Sequence, residues 1–240
     1  MTSRSCIVWG NLKMHPASNL LLSYHQMLAS EGEAVFKDFG LLVPYPYLHQ
    51  ARELFAGKIS VAAQSISEHQ SGAYSSQVSG EILQDLGVDT VMIGHSEVRK
   101  LGVDVRAQLA IAQSLGMKVV YCIGEDASAY QSGGRDALLA EQLSALSTLD
   151  NVIIAYEPIW SIGTGAVASV SDINAAFSCI NSYLASRFPS NSSNIQVLYG
   201  GSINNNNCLE IFTKTEVSGF LVGGVSLHPE KILEVIRLCS

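Results

Sequence analysis

Gln196-Val197-Leu198-Tyr199-Gly200-Gly201-Ser202 and Gly219-Phe220-Leu221-Val222-Gly223-Gly224 decide the fold. Each is a short apolar run that ends in a glycine pair. The runs are too short for helices and lack the polar alternation of a half-exposed strand, so they read as strands buried on both faces. Glycines directly after such strands let backbone N–H groups approach an anion with no side chain between, and a helix start behind them adds its dipole. For either pair alone, a tight turn needing positive φ is the better explanation. Two pairs on the last two strands of a barrel fall where βα barrels hold phosphate, and the reading shifts to a phosphate cradle.

Working outward, six more runs of the same kind precede these two: Cys6–Trp9, Gly40–Val43, Ile59–Ala62, Thr90–Ile93, Lys118–Cys122 and Val152–Tyr156. Stretches with helical spacing separate them, among them Leu20–Ser30, Val105–Leu115, Leu138–Leu146, Ile173–Ala185 and Pro229–Leu238. Ser171 or Asp172 is the expected cap of the helix over Ile173–Ala185, and Pro229 suits the first turn of the last helix. No linker, charge run or low-complexity block divides the chain, so residues 1–240 are expected to form one α/β domain of eight βα units. A closed barrel and an open doubly wound sheet share that pattern, and the motifs decide between them.

The formal charge of −7, with lysines and arginines scattered, disfavours nucleic acid and anionic membranes as partners. An anionic substrate would have to be recognised locally, by backbone amides and one or two lysines. The cysteines Cys6, Cys122, Cys179, Cys208 and Cys239 are odd in number and far apart, with no CxxC, which argues against a disulfide framework or zinc site. Residues Met1–Asn11 lack the apolar core of a signal peptide, and no apolar stretch is long enough to span a membrane. The expected compartment is the cytoplasm.

The polar residues that follow the runs converge on one rim if the sheet closes. Asn11 and Lys13 follow the first, Gln64 the third, Gly94-His95-Ser96-Glu97 the fourth, Gly124-Glu125 the fifth and Glu157-Pro158 the sixth. Glu157 leaves a very apolar strand and precedes Ile159 and Trp160, so its carboxylate should face a partly dry pocket, where desolvation makes a stronger base. A strand-end glutamate paired with a lysine is the plainer alternative. His95 opens a helix whose amides disfavour the imidazolium. Lys13 would supply a phosphosugar's countercharge, although a single lysine is usually a surface residue. The segment Ser161-Ile162-Gly163-Thr164-Gly165-Ala166 is built as a lid would be, or as a helix-start turn.

In chain order, Gly10-Asn11-Leu12-Lys13-Met14, Gly94-His95-Ser96-Glu97, Tyr121-Cys122-Ile123-Gly124-Glu125, Tyr156-Glu157-Pro158-Ile159-Trp160-Ser161-Ile162-Gly163-Thr164-Gly165, Tyr199-Gly200-Gly201-Ser202 and Leu221-Val222-Gly223-Gly224 resemble the triosephosphate isomerase family from end to end. The resemblance implies a single-domain (β/α)8 TIM barrel that interconverts dihydroxyacetone phosphate and D-glyceraldehyde 3-phosphate in glycolysis and gluconeogenesis. It implies that Glu157 is the base and neutral His95 the electrophile, and that Lys13 and Asn11 stabilise the enediolate. The resemblance further assigns the substrate phosphate to Gly163, Ser202, Gly223 and Gly224, with Ser96 and Glu97 in support. Proton transfer beside a carbonyl requires no metal and no organic cofactor, so none is implied.

The chain departs from the family pattern at Leu12, His15-Pro16, Ser75-Ser76-Gln77, Val98 and the shortened Leu101-Gly102-Val103. Three charges usual near the subunit interface are absent together. Neutralising a whole buried cluster is far less costly than stranding its members, so a repacked homodimer is expected. Two other readings stay open on the residues alone. One is another phosphate-binding barrel enzyme, such as an aldolase or a tryptophan-pathway barrel, against which Lys13, His95 and Glu157 speak. The other is a non-catalytic binding barrel, against which the intact site speaks.

Overall fold

The computed structural model describes residues 4–162 and 167–240. In chain order the elements are β1 (Ile7–Asn11), α1 (Ser18–Glu31), β2 (Phe39–Val43), α2 (Leu48–Phe55), β3 (Ser60–Ala63), α3 (Gly80–Asp85), β4 (Thr90–Ile93) and α4 (Ser96–Arg99). There follow α5 (Val105–Ser114), β5 (Lys118–Ile123), α6 (Ala127–Ser132), α7 (Arg135–Leu143), β6 (Val152–Tyr156), α8 (Val170–Arg187), β7 (Gln196–Tyr199), α9 (Cys208–Lys214), β8 (Gly219–Val222) and α10 (Pro229–Leu238). The eight strands pair in sequence order, all parallel, and β1 pairs with both β2 and β8, so the sheet closes.

Closure explains why the strands read as unbroken apolar runs. Successive side chains point alternately into the barrel and outward to the helices, and both sides are dry. Trp9, Leu42, Met92, Val120, Ile153 and Leu198 belong to the set that fills the interior. The alternate residues, such as Val8, Leu41, Val119 and Ile154, pack under the helices. The interior is shape-matched across strands: a Cβ at Gly40 would lie 2.5 Å from the Trp9 ring, so the small residue on β2 makes room for the large one on β1.

Each expected strand is present, with its ends shifted by up to two residues. The largest shift matters for function, because β1 runs on to Asn11 and makes that residue the last of a strand rather than part of a loop. The cap of α8 is also corrected. Ser169, not Ser171 or Asp172, is the N-cap: Asp172 N donates to Ser169 Oγ at 3.1 Å, and Ser169 N donates to Asp172 Oδ2 at 3.2 Å. This reciprocal capping box places Asp172 at its third helical position. Pro229 does occupy the first turn of α10. Helices α2, α3, α4, α6 and α9 are too short for an apolar periodicity to show in the sequence.

Candidate active site

At the C-terminal end of the barrel, Asn11, Lys13, His95, Glu97, Glu157, the Gly200-Gly201-Ser202 turn and the Gly223-Gly224 turn line one cavity of about 580 Å³. Its remaining wall includes Ile159, Ile162, Ile203, Leu221 and Val225. Polar groups thus converge on a pocket whose sides are largely apolar.

Glu157 follows β6 directly, and its backbone N–H donates to Ile123 O at 2.7 Å. A Cβ at Gly124 would lie 1.7 Å from Glu157 O, so only glycine permits that approach. The side chain is 3% exposed. Ser96 N donates to Oε2 at 3.3 Å, and His95 Nε2 lies 3.2 Å from Oε1. Burial pushes the carboxyl up to about 8, against the pull of the Ser96 amide and Lys13. The dry pocket expected from the neighbouring apolar residues is therefore present.

His95 is placed by Gly94, whose φ of +79° turns the chain out of β4, and it stands as the N-cap of α4. Arg99 holds that turn, its Nε donating to Gly94 O at 2.6 Å and its guanidinium to Cys122 O at 3.0 Å. The backbone N–H of Glu97 donates to His95 Nδ1 at 3.3 Å. Nδ1 therefore acts as an acceptor, and the proton of the neutral ring sits on Nε2, facing the cavity. Burial is the main cause that brings the imidazole down to about 4, followed by Lys13; Glu97 opposes the shift. The helix-start amide sets the tautomer, while desolvation does most to keep the ring neutral.

Lys13 adopts a left-handed backbone, φ +50°, uncommon for a residue with a Cβ. Three contacts hold it there. Its N–H donates to Asn11 Oδ1 at 2.9 Å, and Gln64 Nε2 donates to Lys13 O at 2.9 Å and to Asn11 Oδ1 at 3.1 Å. The ammonium pairs with Glu97 Oε1 at 2.5 Å. Glu97 thus touches Lys13 directly through its side chain and His95 through its amide.

The four cradle glycines do not have positive φ, unlike Gly94 or Gly219. What they provide is space. A Cβ at Gly200 would lie 3.0 Å from Glu157 Cγ, one at Gly201 2.1 Å from the Tyr199 hydroxyl, and one at Gly223 2.9 Å from Lys13 Cε. A Cβ at Gly224 would meet nothing within 4 Å. The hydroxyl of Ser202 donates to Ser161 O at 2.9 Å, which ties the seventh-strand turn to the segment after Glu157. That segment is anchored in turn where Trp160 Nε1 and Tyr156 OH both donate to Glu125 Oε1 at 2.9 Å. Gly163 lies outside the described residues.

Asn11, Lys13, Ser96, Glu97, His95, Glu157, Ser202, Gly223 and Gly224 are thus brought together. The sequence offered no signal for the residues that hold them. Gln64 was visible only as a polar rim residue, and Arg99 was not singled out. Gln142 was also missed, although its amide brackets Gly124, accepting from Gly124 N at 2.8 Å and donating to Gly124 O at 3.0 Å.

Comparison with known proteins identifies the family. The triosephosphate isomerase family model matches residues 6–239. The triosephosphate isomerase of Alcanivorax borkumensis is 34% identical over 245 residues, covering 98% of each chain. That of Marinobacter nauticus is 35% identical over 247 residues, covering 98% of this chain and 97% of its own. That of Dechloromonas aromatica is 31% identical over 248 residues, covering 99% and 100%. With the family model matched over residues 6–239 and these relatives similar along its length, the chain belongs to the triosephosphate isomerase family and is an isomerase acting on a small phosphorylated substrate.

Proposed function

We propose that the chain interconverts dihydroxyacetone phosphate and D-glyceraldehyde 3-phosphate through an enediolate, serving glycolysis and gluconeogenesis, with residues 1–240 acting as one catalytic unit. The observation that carries this reading is the pairing of a buried, desolvated carboxylate, Glu157, with a neutral imidazole whose Nε2 faces the same cavity. Glu157 removes a proton from the carbon beside the carbonyl and, after that proton exchanges with solvent while the enediolate is held, delivers a proton to the neighbouring carbon. His95 donates from Nε2 to the carbonyl oxygen and takes up the hydroxyl proton from the oxygen on the neighbouring carbon, so that one proton moves between the oxygens as one moves between the carbons. Lys13 and the Asn11 amide stabilise the negative charge that develops there. Backbone amides of Ser202, Gly223 and Gly224, with Gly163, hold the phosphate, while Ser96 and Glu97 hold the side chains that do the chemistry.

Proton removal and an internal hydride shift predict different isotope outcomes. Turnover in D₂O should leave solvent deuterium on the carbon that receives the proton, read by mass spectrometry or NMR of the product. Complete retention of the original hydrogen at every substrate concentration would rule out the enediolate route.

The same reading includes a cytoplasmic homodimer. All five cysteines are free, as a reducing compartment favours. Met14, in the loop after β1, is 96% exposed and Leu101, after α4, 78%, the highest values among the large apolar side chains of the described residues. Large apolar side chains so exposed suit a partner surface. Val98 and Gln77, two of the positions that lack the family's charges, line one groove with Leu101 and with Glu68, whose Oε2 accepts from Asp104 N at 2.6 Å. Sedimentation across a concentration series should give a dimer, and an active monomer at micromolar concentration would rule it out.

A further inference from the structure

Ser226 lies in the helical turn Gly224–Leu227 behind the cradle of β8 and is fully buried, yet nothing in the reading above uses it. Its hydroxyl is 2.8 Å from Asn11 O and 2.6 Å from Gly223 O, so one proton is shared between the end of β1 and the first cradle glycine. The pairing of β1 with β8 stops at Gly10 and Val222. Past that point the strands have diverged, and the serine hydroxyl takes the Asn11 carbonyl that the ladder no longer serves. Two features fit the chain around this contact. Gly10 leaves the room, since a Cβ there would lie 3.1 Å from Ser226 Cβ. Tyr24, buried on α1, donates to Ser226 O at 2.8 Å and fixes the turn from behind.

We propose that Ser226 is a positioning residue that sets the distance between the phosphate cradle and the Asn11–Lys13 turn. It rests on the roles proposed above for Gly223, Gly224, Asn11 and Lys13. Those residues act on opposite ends of one small substrate, so a fixed spacing between them lets phosphate binding place the reacting carbonyl beneath Lys13 and Asn11. Ser226 touches neither end of the substrate; its effect passes through the two backbone carbonyls it joins.

The test uses Ser226→Ala and Ser226→Cys in the full chain, with inorganic phosphate as a competitive probe. Ser226→Ala should raise the phosphate inhibition constant about tenfold and lower kcat about tenfold, because both ends of the site lose their reference to each other. Ser226→Cys, with a weaker donor of similar shape, should recover part of both. A melting temperature lowered with inhibition constant and kcat unchanged would overturn the proposal. Should the alanine variant fail to fold, the cysteine variant decides by the same two constants. Phosphate that does not inhibit the parent protein would refute the cradle itself. Phosphate that inhibits the parent, loses its grip on Gly224→Asp and ignores both Ser226 variants would refute only the role of Ser226.

Discussion

Glu157→Gln should lower kcat by about 10³-fold, within the roughly 10²–10⁴-fold range that general-base assistance supplies, with KM changed far less. The amide keeps the shape of the side chain, which matters because Gly200 packs so closely against Glu157 Cγ. It also keeps an oxygen to accept from the Ser96 amide or face His95 Nε2. What it loses is the capacity to take a proton. A nearly unchanged kcat would sink the assignment of Glu157 as base.

The same substitution carries a stability signature whose sign follows from the two shifted groups. Glu157 is raised from 4.5 to about 8 and His95 lowered from 6.5 to about 4. Between pH 8 and 6.5 the folded state holds one proton more than the unfolded chain, on the carboxyl, so stability falls as pH rises through that window. Between 6.5 and 4.5 the folded pair carries its proton on Glu157 and the unfolded pair on the histidine, so the two effects cancel. Glu157→Gln removes the first effect. In urea titrations the variant should gain on the parent as pH rises from about 6.5 to 8, the reverse of its loss in rate. Burying the base is therefore a stability cost incurred for its chemistry.

How much of this was legible depends on what kind of signal each residue leaves. The strands were legible because a closed barrel buries both faces of each strand, leaving runs such as Val152–Tyr156 with no polar member. Glu157 and the glycine pairs were legible because each follows a strand directly, and His95 because only Gly94 separates it from β4. The conformation of the glycines was not, since Gly200, Gly201, Gly223 and Gly224 are needed for close approach rather than for positive φ, and close approach depends on partners from other units. Lys13 shows the converse, a left-handed residue that is not glycine, held by Gln64 from two strands away. Gln64, Arg99, Gln142 and Ser226 all act by side-chain bonds to distant backbone groups. Such bonds have no fixed spacing along the chain, so a polar residue that orders an active site looks in sequence like any loop residue.

Gly224→Asp should weaken substrate and inorganic phosphate binding by roughly 100-fold or more, while the protein folds as before. The net charge of −7 gives no bulk attraction for an anion, so the cradle must hold phosphate by local donors against the field of the whole molecule. Gly224 is suited to test this because a Cβ there meets nothing within 4 Å, and its φ is not one that only glycine adopts. The added carboxylate therefore enters the cavity without forcing the barrel to move. By contrast, any side chain at Gly223 would displace Lys13 and confound two effects. A carboxylate within about 4 Å of a phosphate, inside a cavity walled by Ile203, Leu221 and Val225, is screened far less than in bulk water, where such a pair already repels by about 1 kcal/mol per unit charge. Gly224→Asn separates charge from bulk, since it fills the same space without the repulsion and should lose much less affinity. The measurement is the phosphate inhibition constant together with the rise in melting temperature that saturating phosphate produces. If phosphate protects Gly224→Asp as well as it protects the parent, the anion is held elsewhere on the rim. If Gly224→Asn is as impaired as Gly224→Asp, space rather than charge governs the cradle.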